Sequence, residues 1–311
     1  IFIITNFAYE NAIVLYDSFL VLITGAQYAG RISGFGWGLG YLGGIVAALM
    51  LAPLYVHGYQ GHETGFRLVF PLTALFFFIF AIPAFKHLHD RGNRVRASMP
   101  FLIAHGFRRA FHTLIHLRKQ WNIFKFFIGY YLVNDGMFTL ISFTGIFAVT
   151  TLGLPLSSVL KLFLIVHAVG FPATIFAGHL ADRFGHKKVL LASVVGWMIA
   201  AVWLAYTTTP WMFYALAILG GLVLGTTQAV GRSLLSLLVP LENSAELFGF
   251  NGFASKLAAT AGPLVFGAIS TVTGNQRTAV LSLLIFFVGS FLVLITVKEQ
   301  RTLPDHGHHP Q

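Results

Sequence analysis

Apolar residues run along this chain in long blocks separated by short polar breaks. A helix needs roughly twenty apolar residues to cross a bilayer. By that measure, spans fall near 1–22, 32–54, 66–85, 121–149, 158–179, 188–207, 211–232, 247–270 and 278–297. The breaks include Gly25-Ala26-Gln27, Thr207-Thr208-Thr209-Pro210 and Gly274-Asn275-Gln276, and only the connection at 86–120 is long. The pattern predicts an all-α, polytopic membrane protein with about nine transmembrane helices. Several spans carry a charge near mid-length: Glu10, Asp135 and Lys256. A charged group in hydrocarbon is expensive, so such residues usually face a water-filled pathway. A membrane protein that moves something is therefore the first expectation.

Composition sharpens the class. The chain is 56% hydrophobic and 10% charged, with 32 Phe among 311 residues, too apolar for an ordinary soluble domain. Its +10 net charge would raise the question of nucleic acid in a soluble protein; here it reads as membrane topology. Connection 86–120 holds Lys86, Arg91, Arg94, Arg96, Arg108, Arg109, Arg118 and Lys119 against Asp90 alone, which predicts a cytoplasmic linker. Counting outward puts Arg31, the Arg183/Lys187/Lys188 loop, the Arg232 end and the 298–311 tail on the same side. Within the linker, Phe101 to Lys119 reads as an amphipathic helix, with Ile103, Phe107, Phe111, Leu114 and Ile115 opposite Arg109, His112, His116 and Lys119. It lies at the membrane surface or is a solvated connector. Zero cysteines exclude disulfides and thiol chemistry. Because Ile1 opens inside an apolar segment, further sequence is expected upstream.

Polar residues inside the spans fall on stripes. Asn6, Glu10 and Asp17 share one arc of the first span at about 100° per residue. Tyr131, Asn134, Asp135, Phe138, Thr139 and Ser142 form a stripe on 121–149, and Gln228 and Arg232 align on 211–232. At about 1.5 Å per residue, Lys256 and Glu10 fall near the bilayer centre and Asp17 nearer the cytoplasmic end. Glu10 or Asp135 paired with a basic residue such as Lys256 is the structural alternative to a pathway. Asp17 capping or gating the inner end, and Arg232 snorkelling, are the others.

The most specific motif is Gly178-His179-Leu180-Ala181-Asp182-Arg183-Phe184-Gly185-His186-Lys187-Lys188. A tight turn needs glycines at its corners, and Asp182 suits hydrogen bonds from a helix N-terminus or a neighbouring Arg. That turn resembles the signature loop of the major facilitator superfamily, in its second-half copy. Further stretches narrow the match: Asn6-Phe7-Ala8-Tyr9-Glu10-Asn11-Ala12, Gly30-Arg31-Ile32-Ser33-Gly34-Phe35-Gly36-Trp37, Tyr131-Leu132-Val133-Asn134-Asp135-Gly136 and Gln228-Ala229-Val230-Gly231-Arg232-Ser233. They are similar to the vacuole effluxer-like branch, and the likeness covers nearly the whole chain as helices four to twelve of twelve. The sequence departs from the superfamily at His186, where Arg or Lys is more usual.

The resemblance implies the major facilitator fold and alternating access between two bundles. Residues 1–85 would be the last three helices of the first bundle, 86–120 the linker, 121–297 the second bundle and 298–311 a cytoplasmic tail. Helices four, seven and ten would line the cavity. Asn6, Glu10, Asp17, Tyr131, Asn134, Asp135, Thr139, Gln228, Arg232 and Lys256 are the candidates for a solute or proton pathway. Gly178, Asp182, Arg183, Gly185, Lys187, Lys188 and Arg31 are the candidates for the signature loop and its gating.

Arg31-Ile32-Ser33-Gly34-Phe35-Gly36-Trp37 also resembles Glu246-Leu247-Phe248-Gly249-Phe250-Asn251-Gly252, each opening a span, as an internal repeat would. Gly38, Gly40 and Gly43 satisfy a dinucleotide fingerprint but sit inside a span, where Gly34/Gly38 and Gly36/Gly40 suit close helix packing instead. His306, His308 and His309 read as a polar tail and His167 as a packed residue, so no metal or cofactor is expected. No nucleophile–base set or phosphate loop is evident, so an enzyme is not expected. The expectation is a secondary transporter of a small polar solute, with an amino acid as the candidate solute and the proton as the candidate coupling ion, exporting across a bacterial-type inner membrane. Its partners would be lipid and solute, with no nucleic acid. A transport-inactive sensor or assembly factor is the alternative.

Overall fold

The computed structural model describes residues 2–59, 63–88, 101, 106, 108, 120–240 and 243–299. These residues are almost wholly helical: α1 Phe2–Ser18, α2 Leu20–Ile23, α3 Ala29–Tyr59, α4 Glu63–His87, α5 Trp121–Thr150, α6 Leu156–Phe184, α7 His186–Tyr206, α8 Pro210–Leu238, α9 Ser244–Thr273, α10 Gln276–Ser282 and α11 Leu284–Leu294. Eight helices among the described residues are long and apolar enough to cross a membrane. The expected ninth, 1–22, is the pair α1 and α2, interrupted at Phe19. That residue keeps right-handed helical backbone angles, and Leu22 and Ile23 donate to its carbonyl, so the path is nearly continuous. The last span is interrupted in the same way at Leu283. The amphipathic helix expected over 101–119 and the tail beyond 299 lie outside the described residues, apart from Phe101, Gly106 and Arg108.

Helix ends follow local chemistry. Pro210 opens α8, where its missing N–H costs nothing. Gly185 separates α6 from α7 at φ 108°, a backbone angle that side chains rarely tolerate, and this permits the one-residue turn. The Asn275 side chain caps α10 by accepting from Arg277 N–H.

The buried core lies among α5–α11, around Phe126, Met137, Phe147, Leu190, Phe213 and Phe287. By contrast, α4 leaves Phe70, Phe78, Phe80 and Phe85 exposed, an apolar surface that suits lipid rather than water. Helix α3 packs into the groove between α6 and α8, while α1 crosses α9. Three glycines at four-residue intervals make the first contact possible. A Cβ on Gly30 would collide with the Gly178 carbonyl oxygen, one on Gly34 would lie 2.6 Å from that of Thr174, and one on Gly38 2.9 Å from the Ile175 side chain. The pair Gly36/Gly40 does not act as a second packing face: Gly36 gives room to Arg232, and Gly40 faces open space. The two stretches read as a repeat both start at the third residue of their helix, Arg31 in α3 and Glu246 in α9.

Candidate functional site

Two charged contacts join the first turns of α3 to helices that follow the long linker. The first centres on Arg232 of α8, which is only 7% exposed. Its Nη1 donates to Asp17 Oδ1 at 2.8 Å, its Nε to Ser33 Oγ at 2.9 Å and its Nη2 to the Ser33 carbonyl at 3.1 Å. Ser33 Oγ in turn donates to the Ala229 carbonyl at 2.6 Å. The guanidinium also lies 5.6 Å from the centroid of the Tyr16 ring. Arg232 therefore does not snorkel; its planar fork is engaged by α1 and α3 at once.

The second contact is made by the signature loop. Asp182 Oδ1 accepts from Gly30 N–H at 2.7 Å and Oδ2 from Arg31 N–H at 3.0 Å. Arg31 Nε lies 3.4 Å from the same Oδ2. A carboxylate against a helix N-terminus meets both free N–H groups and the positive end of the macrodipole. Gly30 must be glycine for this approach, because a Cβ there would meet Asp182 Oδ1 at 2.6 Å as well as the Gly178 carbonyl. Gly30 and Ser33 are three positions apart, about 4.5 Å along the axis, so the two contacts form one lock.

Other loop residues hold the turn itself. Lys187 Nζ donates to the carbonyls of Val297 at 2.8 Å and Ile295 at 3.2 Å. Arg183 lies over the Phe184 ring, and Lys188 is exposed. Glu299, which the sequence did not single out, accepts from the N–H groups of His186 and Lys187 at 2.8 and 3.1 Å. Burial alone would raise its pKa, but the His186 ring and those two N–H groups outweigh it and hold the carboxyl at about 2. Its neighbour Lys298 exchanges two backbone hydrogen bonds with the Asn122 side chain.

Deeper polar residues separate into three groups. Asn134 Oδ1 accepts from Gln228 Nε2 at 2.9 Å, and Tyr130 OH donates to Gln228 Oε1 at 3.3 Å, linking α5 to α8. Asp135 is fully buried against α9, where its Oδ1 accepts Gly262 N–H at 2.8 Å while Oδ2 has no hydrogen-bond partner. Thr139, equally buried, donates to the Asp135 carbonyl. Lys256 pairs with Glu10 across α9 and α1, not with Asp135. This pair is partly open, with Lys256 61% exposed.

The expected single stripe on α5 is thus divided. Asn134 meets α8, Asp135 and Thr139 meet α9, Tyr131 is half-buried, and Phe138 and Ser142 are exposed. An arc this wide touches more than one neighbour, which spacing along one helix does not reveal. On α1, Asn6 is exposed, while Glu10 and Asp17 meet different helices. Tyr130, Ser33, Gly262 and Glu299 were missed. Ser33 stood in a quoted stretch, and Gly262 is a glycine whose missing Cβ lets Asp135 approach, since a Cβ there would lie 2.8 Å from Asp135 Oδ1.

The sequence profile described as vacuole effluxer Atg22-like matches residues 23–307. The chain belongs to this family. It is 32% identical over 308 residues to the MFS-type transporter YxiO of Bacillus subtilis, covering 96% of this chain and 70% of that protein. Autophagy-related protein 22-1 of Neosartorya fischeri is 26% identical over 297 residues, covering 86% of this chain and 48% of its own length. Autophagy-related protein 22 of Yarrowia lipolytica is 27% identical over 305 residues, covering 86% and 51%. The chain thus spans about half the length of these fungal relatives. Membership makes the chain an integral membrane protein of a transporter family of the effluxer type, rather than of an enzyme family.

Proposed function

We propose that the protein is a secondary transporter exporting a small polar solute of the amino-acid class by alternating access. In this reading, residues 1–85 contribute to one helical bundle, 121–297 form the other, and 86–120 link them on the cytoplasmic side. The observation that carries the reading is the lock at the start of α3, where Asp182 and Arg232 bind across sequence separations of 152 and 199 residues. Hydrogen bonds and two ion pairs around a helix end can break and re-form without unfolding either bundle, as rocking requires. Beside the lock, Tyr130, Asn134 and Gln228 offer a neutral hydrogen-bonding cluster suited to a zwitterion or other polar solute.

Proton coupling would use the carboxylates buried in the spans. Asp135, with one oxygen unpartnered, suits a group that is neutral in at least one state of the cycle. Similarity to a Bacillus subtilis transporter favours the plasma membrane of a bacterial-type cell. Counterflow in proteoliposomes of the full-length protein, with a panel of labelled amino acids and no ATP, tests the reading. Uptake above empty vesicles for at least one solute is expected. Binding of solute with no movement would replace transporter with sensor or assembly factor.

A further inference from the structure

Beside the lock, one buried imidazole is held between carboxylates of two elements. His186, the first residue of α7, is only 3% exposed. Its Nδ1 is hydrogen-bonded at 3.1 Å to Glu299 Oε1 on the C-terminal segment, while its Nε2 lies 3.4 Å from Asp182 Oδ1 at the end of α6 without a hydrogen bond. That Asp182 oxygen is the one that also accepts Gly30 N–H. A neutral imidazole has a single N–H and donates to one carboxylate, whereas the imidazolium donates to both. Imidazole is also the side chain whose charge ordinarily changes between pH 5 and 8.

The other charges around the ring have defined positions. Arg31 of α3 touches Asp182 from the far side. The Lys187 ammonium is taken up by the Ile295 and Val297 carbonyls, and Arg183 turns to the Phe184 ring. On α5, Lys125 lies over the Trp121 ring.

We propose that His186 makes the α3 lock sensitive to cytoplasmic protons, with the protonated ring favouring release. This rests on reading the lock as a gate. In the locked form, Arg31 and the positive end of α3 already compensate Asp182, so they oppose a second cation beside it. In the released form, Asp182 loses the α3 donors and is available to the imidazolium. Glu299 belongs to the same half as His186 and faces it in both forms. A proton therefore binds the released form better and, by linkage, stabilises it.

The chain contains no cysteine, so introduced thiols report without background. Phe35 of α3 and His179 of α6 face each other outside the lock, with ring centroids 6.2 Å apart. Full-length protein carrying Phe35→Cys and His179→Cys is treated with a short bifunctional methanethiosulfonate at pH 7.5 and 5.5. Yields are compared with the same thiols in a His186→Gln background, which cancels the pH dependence of the thiol chemistry. On acidification, the ratio of released to locked forms should rise about fivefold relative to that background. His186→Lys should give the low yield at both pH values. Glu299→Gln keeps the ring but removes one negative charge, and should move the acid-induced release to lower pH. Equal pH profiles with His186 or Gln, or a higher yield in acid, would overturn the proposal. Cross-linking needs no solute, so a pH-sensitive lock in a protein without flux would sink the transporter reading alone. Flux with a pH-insensitive lock would sink only this one.

Discussion

At the scale of the residue, the central feature is a buried guanidinium that would be costly without its acceptors. Removing Asp17 leaves Arg232 with an uncompensated buried charge, a change that typically costs about 3–5 kcal/mol. Asp17→Asn should therefore lower thermal stability markedly, and adding Arg232→Gln should recover much of the loss. A double variant whose loss equals the sum of the two single losses would show that the pair is not coupled. Glu299 makes a prediction with a defined pH window. Its folded pKa of about 2 lies below the ordinary 4.5. Its stabilisation is thus fully present above about pH 4.5 and is lost as pH falls toward 2. Glu299→Gln should reduce stability at pH 7, by about 1.5–3 kcal/mol for hydrogen bonds to a charged acceptor, and should narrow its gap to the parent as pH falls toward 2. Melting curves at pH 7 and pH 3 check it. Asp135→Asn tests proton coupling, and the expected result is loss of pH-driven uptake with solute exchange retained. Unchanged proton-driven flux would remove Asp135 from the pathway.

Among the elements, α3 carries most of the connection between the two sides of the linker. Its Gly30/Gly34/Gly38 face lets two backbones come close enough for Asp182 to reach a helix N-terminus. Gly34→Leu should push α3 from α6 and lower the cross-linking yield of the Phe35→Cys, His179→Cys protein. Gly40→Leu, facing open space, should leave it unchanged. The helices themselves were legible from apolar run length, because hydrocarbon demands it of every span. So was the signature turn, since glycine at Gly185 and acid at Asp182 have direct backbone reasons. What periodicity could not supply was the neighbour of each polar residue. Lys256 meets Glu10 rather than Asp135, and Asp135 turns to a backbone N–H on α9, because partner choice depends on how helices cross. Glu299 was illegible for the same reason: it lies more than a hundred residues from the loop it caps.

For the whole molecule, the lock gives an integral membrane protein of an effluxer-type family one place where its two halves are tied by polar contacts close together on one helix. In the proposed alternating access, those contacts must break in every cycle. The most direct measurement is solute exchange by reconstituted full-length protein bearing Phe35→Cys and His179→Cys, before and after a reversible methanethiosulfonate cross-link. Exchange should stop when α3 and α6 are tied and return when dithiothreitol removes the tether. Exchange that continues at the same rate with the tether in place would contradict a mechanism in which this lock opens.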